Sequence, residues 1–249
     1  MLTNLSIDSL YEICSFLSTS ELLNFSFTCS LYYNCLLKDV RIMKEHKFTL
    51  KDNIDQLDFM SYKILNLDLN SNAHITDDDF TYLKGIHILN MSGCNEITDE
   101  GLIHLKGIHT LNMSGYNEIT DEGLIHLIGI HTLNMSYCKI TGTGLVHLKG
   151  IHTLNISRCY KITDKALENL QGIHKLNITA CNLMQGRGFV HLKGIHKLNM
   201  SRCYFIKDED LKHLKGIHTL NISDCNRLTN KIFEYLKGTL IVRKNTINQ

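Results

Sequence analysis

The chain has no proline and no tryptophan in 249 residues, and neither sign of charge prevails, with 26 Lys and Arg against 25 Asp and Glu. The even charge gives no basis for nucleic acid or a membrane surface as a general electrostatic partner. No apolar run approaches the ~20 residues needed to cross a bilayer. The first 23 residues lack the basic start of a signal peptide, and Asp8, Glu12 and Glu21 interrupt its apolar stretch. A cytoplasmic or nuclear location is expected. No GxxxxGKS/T, GxSxG or HExxH motif occurs, so nothing points to an enzyme or to a cofactor. Asn, Ile and Lys are abundant where Pro and Trp are missing, which reads as an AT-rich coding genome rather than a structural device.

What the chain does have is a repeat. Residues 86–107 and 108–129 differ at three positions only, with Ile88 for Thr110, Cys94 for Tyr116 and Lys106 for Ile128. The repeat leucine recurs at Leu67, Leu89, Leu111, Leu133, Leu154, Leu176, Leu198 and Leu220, every step being 22 residues except one of 21. Eight copies at a short fixed period predict a solenoid. Within a copy, Ile108 to Met113 alternates apolar and polar residues, the signature of a strand with one buried face. Ile119 to Leu127 reads as a short helix, with Thr120 or Asp121 as its cap and with Asp and Glu complementing its dipole. A glycine follows each helix, where a left-handed residue is needed. One copy alone buries too little to fold, so neighbours must stack on a shared core.

Six of the nine cysteines, Cys94, Cys138, Cys159, Cys181, Cys203 and Cys225, share one repeat position, and none forms a CxxC pair. They predict a buried ladder of thiols. The alternative is a zinc site, which needs converging ligands that a line does not supply. Seven histidines recur in Gly-Ile-His, from His87 to His218, and five more in the helical half. A group repeated with the same neighbours has no special catalytic partner. Stacked packing or plain surface is expected of them, with divalent metal chelation by neighbouring rings as the alternative.

The spacing Ile151-His-Thr-Leu154-Asn-Ile156-Ser-Arg-Cys159, followed by Ile162-Thr-Asp164, Leu167 and Leu170, resembles the cysteine-containing leucine-rich repeat. That resemblance implies an α/β leucine-rich-repeat solenoid over 63–242, with a concave parallel sheet and short convex helices. Residues 1–45 do not share the repeat. Leu5, Leu10, Ile13, Phe16-Leu17, Leu22-Leu23 and Cys29 resemble an F-box without gaps, with Ser6 where that family usually has Pro and Tyr32 where it has Trp. Proteins with both parts are plentiful in large DNA viruses and in amoebae.

The F-box resemblance implies a small all-α head that binds a Skp-like adaptor, and through it a cullin, by way of Leu5, Ile7, Leu10, Ile13, Phe16 and Leu17. The chain would then be the target-recognition subunit of a Skp–cullin–F-box ubiquitin ligase. The alternative is an interaction scaffold whose head only caps the solenoid. Residues 46–62 are expected to form an ordered connector anchored by Phe48, Leu50, Ile54, Leu57 and Phe59. Thr239 to Val242 are expected to add a last strand, and 243–249 a polar tail that protects the sheet edge.

A protein target is expected on the concave face, where residues vary between coils. The first complete copies present Asn, Ser and a bare glycine, whereas later coils carry Tyr137, Arg158, Lys175, Lys197 and Arg202. That composition suits an acidic or phosphorylated target, and a solvated charged rim is the competing reading. The uniform asparagine, Asn90 to Asn221, is expected to satisfy itself sideways as a ladder.

Overall fold

The computed structural model describes residues 48–49, 66–115 and 118–242. The expected helical head with Leu5, Ile7, Leu10, Ile13, Phe16 and Leu17, most of the connector and the polar tail lie outside the described residues. Ten short strands form one parallel sheet in chain order. They are β1 (Phe48–Thr49), β2 (Asn66–Asp68), β3 (Ile88–Asn90), β4 (Thr110–Asn112), β5 (Thr132–Asn134), β6 (Thr153–Asn155), β7 (Lys175–Asn177), β8 (Lys197–Asn199), β9 (Thr219–Asn221) and β10 (Leu240–Val242). Repeat leucines lie directly opposite one another, Leu111 beside Leu133 and Leu133 beside Leu154, so the one shorter copy does not shift the register. The final strand is β10, as expected. At the other end Phe48 pairs with Leu67, so the sheet starts inside the expected connector, ahead of residue 63.

Each coil buries the same side chains. Between residues 108 and 129, Ile108, Leu111, Met113, Ile119, Leu124 and Leu127 are at most 2% exposed. They join their counterparts in a continuous core running the length of the solenoid. Among the described residues no helix is long and apolar enough to cross a membrane.

The convex helices are slimmer than the sequence suggests. Gly123–Leu127, Thr143–Leu148, Asp164–Asn169 and Arg187–Leu192 are 3₁₀ segments, and Asp99–Leu102 and Ile232–Tyr235 are single α turns. An α-helix with its side chains is ~10 Å across, about twice the ~4.8 Å between strands. The tighter 3₁₀ winding lets coils stack closer to strand spacing.

The glycine after each helix does more than end it. Lys106 (φ −53°, ψ 124°) and Gly107 (φ 86°) occupy the centre of a type II turn, closed by Ile108 N–H donating to the Leu105 carbonyl at 3.0 Å. A Cβ on Gly107 would meet nothing within 4 Å, so the left-handed backbone alone selects glycine there.

Of the two expected caps the threonine serves, Thr120 Oγ1 accepting from the Glu122 amide at 3.2 Å and Thr98 Oγ1 from that of Glu100 at 3.3 Å, while the aspartate beside it does not cap its own helix. It reaches into the next coil. The Thr98 amide and hydroxyl both donate to Asp77 (3.0 and 2.6 Å), and those of Thr229 to Asp208 (2.8 and 2.6 Å). Asp121 receives the amides of Thr141, Gly142 and Gly144. Burial would raise its pKa, but the amides of Gly144, Thr141 and Gly142 and the Thr141 hydroxyl outweigh that and hold it below the usual carboxylate range.

These carboxylates require a glycine beneath them. A Cβ on Gly101 would sit 2.5 Å from Asp77 Oδ1. Where glycine replaces the aspartate, at Gly142 and Gly186, a side chain appears below it instead, Ala166 and Asp210. Ile232, below Asp208 in the last coil, is an exception that nothing in the structure explains.

Candidate functional site

Local bonding engages the asparagine side chains along the middle of the concave face. Asn112 Oδ1 accepts from the Ser114 amide, and the same turn recurs from Asn90 through Asn221. The asparagine side-chain oxygens therefore bond within their own coils rather than sideways as expected. The exception is Asn90, whose Nδ2 donates to Asp68 at 2.8 Å.

Immediately past each such turn, three residues after the asparagine, the backbone becomes left-handed. Tyr137, Arg158, Ala180, Arg202 and Asp224 all have φ between 56° and 66°. Such a φ is costly for a residue with a Cβ, about 1–2 kcal/mol. The sheet imposes it: Arg158 N–H donates to the Thr179 carbonyl (2.8 Å) and Arg202 N–H to that of Ser223 (2.8 Å), which carries the ladder beyond the strand ends. Gly93 and Gly115 fill the same position in the two near-identical coils without that cost. The variable position thus throws its side chain off the sheet at a fixed angle. Arg158 lies 4.9 Å over the Tyr137 ring and donates to its hydroxyl, and Arg202 Nε bonds Asp224 at 3.2 Å.

The five residues expected to form one patch fall into two groups. Lys175 and Lys197 are direct register partners on β7 and β8, both exposed. Tyr137, Arg158 and Arg202 sit five positions further along their coils, up to ~16 Å away at ~3.3 Å per residue. The structure joins Tyr137 to Arg158, and it separates both from the lysine pair.

Sequence reasoning missed the residues beside the ladder cysteines. Tyr160 (51% exposed), Leu183 (48%), Tyr204 (41%) and Phe205 (46%) line the rim where the chain leaves the sheet, with Arg227 stacked 5.1 Å over Phe205. They follow the cysteine by one or two positions in three successive coils, and the tyrosine recurring directly after Cys159 and Cys203 was the available signal. Together with Arg158 and Arg202 they give this exit rim the Arg- and Tyr-rich composition of binding hot spots. A cleft beside them carries mixed charge, walled by Arg187, Lys207 and Arg227 together with Glu209 and Asp210.

The two ladders are built for packing. Each thiol donates to a carbonyl of the preceding coil, Cys159 to Met135 (3.2 Å) and Cys181 to Ile156 (3.1 Å). Burial pushes the Cys94 thiol to about 11 and that of Cys181 to about 12, and raises Cys159 and Cys203 further. Such thiols are poor nucleophiles and poor metal ligands.

The seven Gly-Ile-His rings stack face to face, with centroids 4.5–4.7 Å apart and interplanar angles of 4–26°. Their in-plane nitrogens run side by side instead of converging on one ion. Among the described residues no group of three or more His, Cys, Asp or Glu is placed to hold a metal. Desolvation in the stack, then the neighbouring His131 and Lys175, hold His152 below the usual imidazole range. His174 is lowered in the same order, by desolvation and then by His152, His196 and Lys175.

Two family models match the chain. The F-box domain model matches residues 2–42, and the leucine-rich repeat model matches 86–106 and 130–149. The chain thus carries an F-box domain and leucine-rich repeats together, a combination that supports a protein-interaction adaptor. No curated protein matches it in sequence.

Solved structures share the solenoid. An internalin (inlF) from Listeria monocytogenes aligns with TM-score 0.57 at 21% identity, over 85% of this chain and 72% of that one. The chain of a TLR13–ssRNA13 complex aligns with TM-score 0.57 at 20% identity over 80% of this chain, which spans only 31% of the receptor's length. The leucine-rich repeat domain of the type III effector XopL aligns with TM-score 0.50 at 15% identity, over 74% of this chain and 77% of that one. At such identities the likeness is one of fold.

Proposed function

We propose that the chain is the target-recognition subunit of a Skp–cullin–F-box ubiquitin ligase, with catalysis belonging to other subunits. The observation that carries this reading is the F-box match at residues 2–42 directly ahead of a leucine-rich solenoid. Leu5, Ile7, Leu10, Ile13, Phe16 and Leu17 hold the adaptor, in a segment too short to bury them on its own. The target lies on the solenoid, gripped by Tyr137, Arg158 and Arg202 at one end of the concave strands and by Lys175 and Lys197 at the other. Guanidinium pairs well with carboxylate and phosphate, so the target is acidic or phosphorylated there.

Affinity purification of the tagged chain from its host tests both halves together. An adaptor and a cullin are expected to co-purify, and Ile13→Asp with Leu17→Asp should remove both while sparing the target. Arg158→Glu with Arg202→Glu should do the reverse. A purification that yields partners but neither adaptor nor cullin would favour the scaffold reading, in which the head only caps the solenoid.

A further inference from the structure

The net charge of +1 conceals a strong separation of charge between the two rims. Seven successive stretches run from a convex turn to a strand end: 80–91, 102–113, 124–135, 145–156, 167–178, 189–200 and 211–222. Six contain no acidic residue at all, and the seventh contains Glu168 alone. The carboxylates gather instead at the other rim and at the helix starts, among them Glu96, Glu118, Asp164 and Asp224.

The rim where the chain enters the sheet is correspondingly basic. Lys84, Lys106, Lys149, Lys193, Lys215 and Lys237 occupy the same position of the turn ahead of the strand, and all are exposed. Among the described residues none of the six forms an ion pair. Three residues on from five of them stands the histidine ladder, which runs about 28 Å in six steps of 4.5–4.7 Å. The charged groups acting on His152 and His174 are the neighbouring histidines and Lys175, with no carboxylate among them. Thr110, Thr132, Thr153 and Thr219 hydroxyls lie 2.9–3.1 Å from the Nδ1 of the preceding histidine, and Lys175 and Lys197 take the threonine place in two coils.

We infer that this entry rim is a docking track for an extended acidic peptide segment, held by the lysine row and held more tightly as the histidines take up protons. An extended chain of ~8 residues at ~3.4 Å each would cover the ladder. A peptide fits better than a single-stranded nucleic acid. Bases need aromatic faces with ~3.5 Å of clearance on each side, and rings 4.5–4.7 Å apart leave no gap for one. Of the exposed aromatics among the described residues, Tyr160, Tyr204 and Phe205 lie on the opposite rim, and Tyr82 and Phe233 stand singly on convex segments in the first and last coils.

The inference stands apart from the adaptor half of the ligase reading, because the rim uses no residue of the head, and it shares only Lys175 and Lys197 with the proposed target surface. The probe is a fluorescent, unstructured Asp/Glu peptide of about 12 residues, followed by anisotropy on the full chain, with single-stranded DNA of equal charge as competitor. Binding should weaken with salt and tighten about fivefold or more between pH 7.5 and 6.0. The exposed triple change Lys149→Glu, Lys193→Glu and Lys215→Glu should weaken binding about tenfold or more with an unchanged melting temperature. Replacing His152, His174 and His196 with Asn should flatten the pH response of the affinity. Peptide affinity untouched by the lysine reversals would overturn the site. DNA that binds as well as the peptide would overturn the partner, and a pH-independent affinity would overturn the role of the ladder.

Discussion

Replacing Gly101 with Ala should destabilise the solenoid, although the site is helical and alanine is otherwise the better helix former by about 0.5–1 kcal/mol. The new methyl would lie 2.5 Å from Asp77 Oδ1, ~1 Å inside ordinary contact. The carboxylate must then swing away from the amide and hydroxyl of Thr98. Each charge-assisted bond contributes about 1–2 kcal/mol at a half-exposed position. Net of the helix gain, Gly101→Ala should cost about 1–2 kcal/mol, and Asp77→Ala alone about 2–3 kcal/mol. The two together should cost no more than Asp77→Ala, because the carboxylate that clashes is the one already lost. That is a coupling of about 2 kcal/mol. The natural counterpart is Gly142 above Ala166, where the residue in the aspartate's place carries no side chain at all. Urea unfolding of the wild type, both single variants and the double variant measures it. Additive losses, or a stabilising Gly101→Ala, would refute the proposed contact between coils.

Three further outcomes follow from the same geometry. Because His152 and His174 have folded pKa values below the ordinary ~6.5, the unfolded chain binds more protons there. Stability should be full above about pH 6.5 and decline as pH falls below it, so thermal melts at descending pH should shift downward; a melting temperature steady down to pH 5 would contradict the depressed values. The six ladder thiols should resist a thiol reagent at pH 8 until the chain is unfolded, since burial holds Cys94 near 11 and Cys181 near 12; modification of Cys159 or Cys181 in the native protein, seen by peptide mapping, would show the ladder is open. Ala180→Gly should raise the melting temperature, by about 0.5–1 kcal/mol of stability, because residue 180 sits at φ 56°; a lower value would mean the methyl contributes more through packing than the backbone strain costs.

The solenoid was legible because the repeat leucines lie on register-paired strands, so one period fixed sheet order, register and core together. The cysteine and histidine ladders were legible for the same reason. What escaped was whatever depends on contact between coils. Nothing local to Asp77 or Asp99 says that its carboxylate serves a threonine 21 residues on, and a helix-start reading was the natural one. The helix type escaped too, since 3₁₀ winding follows from stacking distance and not from propensity.

The candidate site was half legible. Variation between coils picked out Tyr137, Arg158 and Arg202, but Lys197, in the coil of Arg202, and Lys175, one coil earlier, stand at the other end of the strand. Tyr204 and Phe205 were hidden by an adjacent cysteine that drew attention to the core. The segregated rims were hidden by a net charge near zero.

A titration of the full chain with a purified Skp-like adaptor, followed by calorimetry, tests the ligase reading most directly. The account predicts saturable one-to-one binding that Ile13→Asp with Leu17→Asp abolishes while the thermal melt of the solenoid stays in place. A chain that melts cooperatively yet gives no binding heat with the adaptor at any temperature tried would contradict it, and would leave the solenoid as a scaffold with a helical cap.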